Sequence, residues 1–373
     1  MNTTFVCLAT SLSALLFGLW LLGRRPQAAF DLARVLIVTL GVALLVGGEA
    51  AYFAFGERRF FLAVNVTYCA VAIVAPLLAL ALLVASRRRG ATRPARIAAL
   101  LTLAIVPVAL HSTFVEPYDL RTEQETVELK AHAGLPRPLT VVLLSDLQML
   151  EVSDHERDAI RRTMDAKPDL IVLSGDLTQV GRRGLEQIRE PFHALVAPLS
   201  APLGVWAVHG DCETAEDARD LLAGTNIGLL VNETRHLEHE GLGVWLCGLE
   251  NGYGSARSLA ALAAFDALDT HGEARLVLAH RPDVVSTLAP GSPVDLVLCG
   301  HTHGGQVQLP FFGPPFILSN VPREVGAGGL HELGGHRLYV SRGIGWEHGH
   351  APRVRFRCPP VVCVLKLGPS GEP

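Results

Sequence analysis

The sequence predicts an α/β domain of packed sheets with helices outside, preceded by an all-α transmembrane region. Long apolar runs crowd before about residue 115, where Asp, Glu and His are almost absent. From about residue 136, short β-rich runs alternate with helical stretches. Most acidic residues and most histidines appear in this second part, so the composition itself marks a boundary.

Segments 3–22, 33–55, 60–85 and 97–115 are each long enough to cross a hydrocarbon core as a helix. The first lacks a basic segment before it, and Arg24 and Arg25 follow it, so it reads as a retained helix rather than a signal peptide. Arg24, Arg25 and Arg34 mark the first loop, and Arg87, Arg88, Arg89, Arg93 and Arg96 the third. The positive-inside bias puts both loops in the cytoplasm, which makes this a multi-pass integral membrane protein with an extracytoplasmic C-terminal domain. Glu49 reads as an interfacial or helix-paired carboxylate, so this region is an anchor rather than a transporter.

In the second part, 139–145, 170–174 and 205–208 read as buried strands, each followed by a helix: 153–166, 184–196 and 215–223. Strand-like runs follow at 228–232, 234–238 and 244–248, then a helix at 256–268. Strands resume at 275–279, 294–299, 337–341, 353–357 and 361–367, while 310–315 and 326–335 are Gly- and Pro-rich loops. The expected organisation is a four-helix membrane region at 1–116, a linker at 117–136, a domain at 137–368 and a disordered tail at 369–373.

The 373 residues carry a formal net charge of −4, and no basic face argues for nucleic acid. The 7 cysteines show no CxxC spacing, so neither a zinc knuckle nor a disulfide framework is indicated. Cys247 and Cys299, in apolar runs, read as inert buried thiols.

The chemistry gathers where strands end. The first three strands run into Asp146-Leu147-Gln148, Gly175-Asp176 and Gly210-Asp211-Cys212-Glu213. Later strands run into Ala279-His280 and Gly300-His301-Thr302-His303-Gly304-Gly305-Gln306. Ligands of open α/β sheets bind beyond the carboxyl ends of strands. One Asp at a strand end is usually a turn residue, and one His there is usually structural. The glycine-walled pair His301 and His303 resists that explanation, because close backbone approach around a metal needs such glycines. Three Asp and three His together form an oxygen and nitrogen donor set for hard or borderline divalent ions. His209, His236, His348 and His350 read as structural or surface residues.

This order of motifs resembles the calcineurin-like metallophosphoesterases over about residues 139–367, closest to their bacterial membrane-anchored branch, which includes UDP-2,3-diacylglucosamine pyrophosphatases. The tail Leu338-Tyr339-Val340-Ser341-Arg342-Gly343-Ile344-Gly345 resembles a segment of that branch. The resemblance implies a two-sheet sandwich flanked by helices and two divalent metal ions. It implies that Asp176 bridges them, that Asp146 and His303 complete one site with Gln148 in a usual ligand position, and that Asp211, His280 and His301 complete the other. The implied reaction is hydrolysis of a phosphodiester or pyrophosphate, by analogy lipid-linked at the bilayer, through a hydroxide bridging the metals. Asp176, Asp211, Cys212 and His301 are the candidate catalytic residues.

The family motif Asp-x-His is here Asp146-Leu147-Gln148, and Gly-Asn-His is here Gly210-Asp211-Cys212. Losing imidazole and gaining carboxylate hardens the site, which favours Mn²⁺ or Mg²⁺ over Zn²⁺ or iron. Substrates with good leaving groups depend less on the acid lost at Cys212. The competing expectation is a membrane sensor that binds metal or phosphate without catalysis.

Overall fold

A computed structural model describes residues 57–89, 93–129 and 135–369. The expected membrane segments 3–22 and 33–55, Glu49, and most of the tail lie outside them. The chain divides into a helical unit, running to Val115 and including Glu347–Val354, and a second unit of Glu116–Trp346 and Arg355–Pro373.

The described helical unit holds helices Glu57–Cys69, Ala75–Arg89, Arg93–Leu103 and Ile105–Phe114, with a π-helical turn at Ala70–Val74. Two stretches, Phe60–Ala81 and Arg96–Tyr118, are long and apolar enough to cross a membrane, with mean hydropathies of 2.1 and 2.0. Their serine and threonine hydroxyls bond back along the helix, while the Tyr68 hydroxyl reaches the Ala109 carbonyl and Thr113. Thr102, Ser112 and Thr113 donate to the carbonyls of Ala98, Val108 and Ala109 at 2.7–2.8 Å.

The second unit is built on two six-stranded mixed sheets. The strands are β1 (Arg121–Leu129), β2 (Leu139–Leu144), β3 (Leu170–Leu173), β4 (Val205–Ala207), β5 (Ile227–Leu229), β6 (Glu233–His239), β7 (Leu242–Gly248), β8 (Ala274–Leu278), β9 (Leu296–Cys299), β10 (Gly329–Leu333), β11 (His336–Val340) and β12 (Val361–Pro369). One sheet has the order β1-β12-β2-β3-β4-β5 and the other β10-β11-β9-β8-β7-β6. In the first, β2 to β5 run parallel, as do β7, β8, β9 and β11 in the second.

Period-2 alternation assigns each strand residue to a layer. Leu139, Val141 and Leu143 of β2 pack with Leu276, Leu278, Leu296 and Leu298 in the core between the sheets. Their neighbours Val142, Leu144, Ile171 and Leu173 face outward and meet Ile160, Leu185 and Phe192 from helices Asp154–Asp165 and Gly181–Val196. Val277, Val297 and Val340 form the third cluster with Leu262 and Phe265 of helix Ala256–Asp266. Both sheets are therefore covered on both sides, which is why their parallel strands read as continuous apolar runs. Capping boxes at Ser153–Glu156 and Thr214–Asp217 start the helices Asp154–Asp165 and Ala215–Leu222.

Three local expectations are corrected. Residues 121–129, within the expected linker, form the edge strand β1, parallel to β12. Only Val127 and Leu129 of this strand are buried, so its pairing carries little apolar signal. Residues 329–333, expected as loop, pair with β11 as a hairpin. Residues 353–357 contain no strand; Arg355 there is fully buried, and Phe356 makes one bridge to Val307.

Candidate metal centre

The expected ligands converge because each follows the carboxyl end of a strand. Asp146 follows β2, Asp176 follows β3 and Asp211 follows β4 in one sheet, while His280 and His301 follow β8 and β9 in the other. Two groups of ligand atoms each lie within 4.8 Å of one another: Asp211, His280 and His301, and Asp146, Asp176 and His280. His303 Nε2 stands 3.6 Å from Asp146 Oδ1. Gln148 Nε2 donates to Asp176 Oδ2 at 3.1 Å and lies 3.5 Å from Cys212 Sγ. Every sequence-predicted site residue is thus in one connected cluster.

The backbone here is held in an unusual state. Asp146, Gln148, Asp176, His301 and His303 all have positive φ, at 50°, 43°, 53°, 70° and 49°. Such conformations cost roughly 1 kcal/mol or more per non-glycine residue and persist where the surroundings over-determine them. The surroundings are backbone bonds: Asp146 N donates to Gly175 O at 3.1 Å, and Gln148 N donates to Asp176 O at 2.8 Å. Gly300 is required by close approach, since a Cβ there would collide with Ser145 Oγ and Asp146 Oδ2.

Two imidazoles are locked by backbone carbonyls. His280 Nδ1 donates to Ser174 O at 2.8 Å, and His301 Nε2 donates to Leu318 O at 2.7 Å. The opposite nitrogens, His280 Nε2 and His301 Nδ1, therefore face the carboxylates. His301 Nδ1 is 2.9 Å from Asp211 Oδ2. His280 Nε2 is buried without a hydrogen-bond partner, 3.5 Å from Asp176 Oδ2 and 3.3 Å from Asp211 Oδ2. A buried nitrogen left unbonded beside two carboxylates is a donor set suited to a cation.

The electrostatics agree. Burial opposes protonation of His280, yet Asp176, Asp211 and Asp146 hold its pKa up at about 10. Burial would raise Asp211, but His280 and His301 hold it far below the usual carboxylate range. Burial, with the Asp176 charge, lifts Asp146 to about 6 and Glu213 to about 8. In the metal-free protein, a proton on His280 supplies positive charge among surrounding carboxylates.

Several contributors are invisible in the motifs. Arg281 donates from Nη2 and Nε to Asp211 at 2.5 and 3.1 Å, and Asn251 Nδ2 donates to the same carboxylate at 2.7 Å. Glu213 accepts from the backbone N–H groups of Leu177 and Gly210, which ties the Asp176 and Asp211 turns together. Arg355 donates to the carbonyls of Cys358, Arg342 and Gly345 at 3.0, 2.9 and 2.5 Å. That segment in turn holds the site, because Ile344 N and Gly345 N donate to Ser145 O and Asp146 O. Arg281, adjacent to His280, was available as a signal; Arg355 sits in an alternating basic run that resembles a surface strand. His209 Nε2 accepts from Asn251 N at 3.3 Å, and His236 stacks on Trp245 and meets Glu273. Cys247 and Cys299 are buried as expected, and burial raises both thiols.

Comparison with known proteins decides the family. The calcineurin-like phosphoesterase model matches residues 139–305, which spans β2 through the His-Thr-His segment. Phosphodiesterase YaeI of Escherichia coli K12 is 30% identical over 244 residues, covering 62% of this chain and 82% of that protein. The chain belongs to the calcineurin-like phosphoesterases. This family of metal-dependent phosphoesterases uses a dinuclear metal site, and the two-sheet architecture with flanking helices fits it. The metallophosphoesterase YkuE of Bacillus subtilis is 27% identical over 271 residues, covering 69% of this chain and 88% of that protein. UDP-2,3-diacylglucosamine pyrophosphatase LpxG of Chlamydia muridarum is 35% identical over 100 residues, which is 24% of this chain and 28% of that protein.

Proposed function

We propose that this protein is a membrane-anchored, two-metal phosphodiesterase or pyrophosphatase acting on a lipid-linked substrate. The observation that carries the metal reading is His280 Nε2, buried and unbonded between Asp176 and Asp211. Asp146, Gln148, Asp176 and His303 would hold one ion, and Asp176, Asp211, His280 and His301 the other. Bound divalent ions supply charge neutralisation of the phosphate and a nucleophile at neutral pH. Mn²⁺ or Mg²⁺ suits the oxygen-rich first set better than Zn²⁺.

The chain's own groups do the positioning. Cys212 N donates to Asp176 Oδ1 at 2.8 Å and Gln148 Nε2 to Oδ2 at 3.1 Å, so the shared carboxylate is held from both sides. Ser174 and Leu318 carbonyls keep the proton of each imidazole on its outer nitrogen. Arg281 on Asp211 brings a guanidinium beside the centre, where it can bind a phosphate oxygen.

Membrane anchoring is supported by exposure as well as composition. Only 22% and 17% of the two apolar windows is buried, unlike the core helices of a soluble protein. The LpxG resemblance supports a lipid-linked diphosphate, and the orientation follows the loop arginines.

The test is hydrolysis of bis-p-nitrophenyl phosphate by the full chain in detergent micelles with Mn²⁺, Mg²⁺ or Zn²⁺. Metal-dependent turnover abolished by Asp176→Asn and by His301→Ala supports the reading. Absence of turnover with any of the metals, from protein that still binds them, points instead to the non-catalytic sensor.

A further inference from the structure

Immediately after the His-Thr-His segment, residues 307–320 carry no charged side chain. The run folds into a closed turn in which Leu309 N donates to Gly313 O and Gly313 N to Leu309 O, both at 2.9 Å. At its tip Phe311 is fully exposed and Phe312 is half-exposed. Phe311 also has φ 64°, a left-handed conformation rare for a bulky residue. The fold gains nothing from an apolar ring held in strained backbone and pointed at water, so the arrangement calls for an external partner.

The base of the turn is tied to the site by hydrogen bonds. Gln308 Nε2 donates to Gly304 O and Ala327 O, and the Leu318 carbonyl fixes His301. The Arg323 guanidinium lies 4.2 Å above the Phe312 ring, which places a cation behind the apolar tip. An apolar aromatic tip with a cation at its rim is the pattern of interfacial insertion into lipid with anionic headgroups. Only Asp119 and Leu120 separate the apolar stretch Arg96–Tyr118 from β1, so the chain ties the second unit directly to that stretch.

We propose that the 309–313 turn is a lipid-inserting prong, with Phe311 and Phe312 seated among acyl chains and Arg323 at the headgroups. It would hold the mouth of the metal centre against the bilayer, where a lipid-linked substrate presents its phosphates. This inference rests on the membrane-anchored reading above, and its test separates the two.

The full chain with Phe311→Trp is reconstituted into phosphatidylcholine–phosphatidylglycerol vesicles and compared with the unsubstituted chain, whose 4 tryptophans give the background. The difference emission is expected to fall by about half in vesicles with brominated acyl chains and to resist acrylamide about threefold better than a free indole. Co-flotation with the vesicles, together with acrylamide quenching and no bromolipid quenching, overturns the prong and leaves the anchor standing. Protection from both quenchers also overturns it, in favour of a protein contact such as a second copy of this chain. Failure to co-float overturns anchor and prong together. Hydrolysis of the soluble diester, measured on the same samples, stays unchanged and shows that the metal centre is intact.

Discussion

His301 Nδ1 and Asp211 Oδ2 meet at 2.9 Å across the two sheets, one following β9 and the other β4. The pair holds the sheet ends in register at the metal centre. His301 is oriented from behind by the Leu318 carbonyl, and Asp211 by Arg281 and Asn251.

Asp211→Asn keeps an oxygen donor while removing a charge from a crowded anionic site. We expect retained hydrolysis with a preference moved from Mn²⁺ toward Zn²⁺, whereas Asp211→Ala loses about 100-fold or more in kcat/KM. Metal titrations of both variants with the soluble diester check this, and equal loss in the two would contradict it.

Gly300→Ala drives a methyl group into Ser145 Oγ and Asp146 Oδ2. Overpacking of this kind costs about 1–3 kcal/mol. Because the displaced atom belongs to the candidate metal ligand Asp146, activity is expected to fall further than stability, by about 100-fold. Thermal melts and kinetics on the same preparation separate the two effects.

Arg355→Met leaves the carbonyls of Arg342, Gly345 and Cys358 without their buried donor. A loss of about 3 kcal/mol is expected, together with about tenfold weaker metal binding through the displaced Asp146 segment. Arg355→Lys rescues little, since one ammonium cannot replace a planar fork reaching several carbonyls. Calorimetric metal binding is the readout that a remote packing defect would leave unchanged.

With metal chelated, stability is expected to fall as pH rises. Folding raises Glu213 from 4.5 to about 8 and His280 from 6.5 to about 10. A group whose folded pKa is raised contributes fully below its unfolded pKa and loses that contribution as pH passes the folded value. Both contributions therefore decline between about pH 5 and pH 10, as charges crowd without a cation. Added Mn²⁺ should raise Tm more at pH 9 than at pH 6, because binding releases protons. A chelated protein whose Tm is flat over this range would refute the assignment.

Gln148→His together with Cys212→His restores the imidazoles that the family motif carries. For a site already tuned to oxygen ligands, the double variant should change turnover by less than about tenfold and improve Zn²⁺ use. A rise from near zero with any metal would show that the natural pair records lost catalysis.

Much of this protein was legible in one dimension. The strands β2, β3, β8 and β9 announce themselves because burial on both faces demands unbroken apolar runs. The helix at Asp154–Asp165 is marked by its Ser153–Glu156 capping box. Asp146, Asp176 and His280 stand out in the sequence because ligands gather beyond strand ends, and the glycines around His301 and His303 signal close backbone approach; the fold brings Asp146, Asp176 and His280 together. Polar β1 was missed, since its pairing with β12 is decided by a partner far away in sequence.

The sequence by itself therefore determined the apolar spans, the strand and helix alternation, and which donors stand at strand ends, all of which depend on local periodicity. Only the tertiary structure decided which nitrogen of each histidine faces the carboxylates, that Arg281 pairs with Asp211, and that buried Arg355 braces the loop beneath Asp146. Those relations join backbone carbonyls and side chains from distant elements, and long-range hydrogen bonds leave no period in the sequence to read.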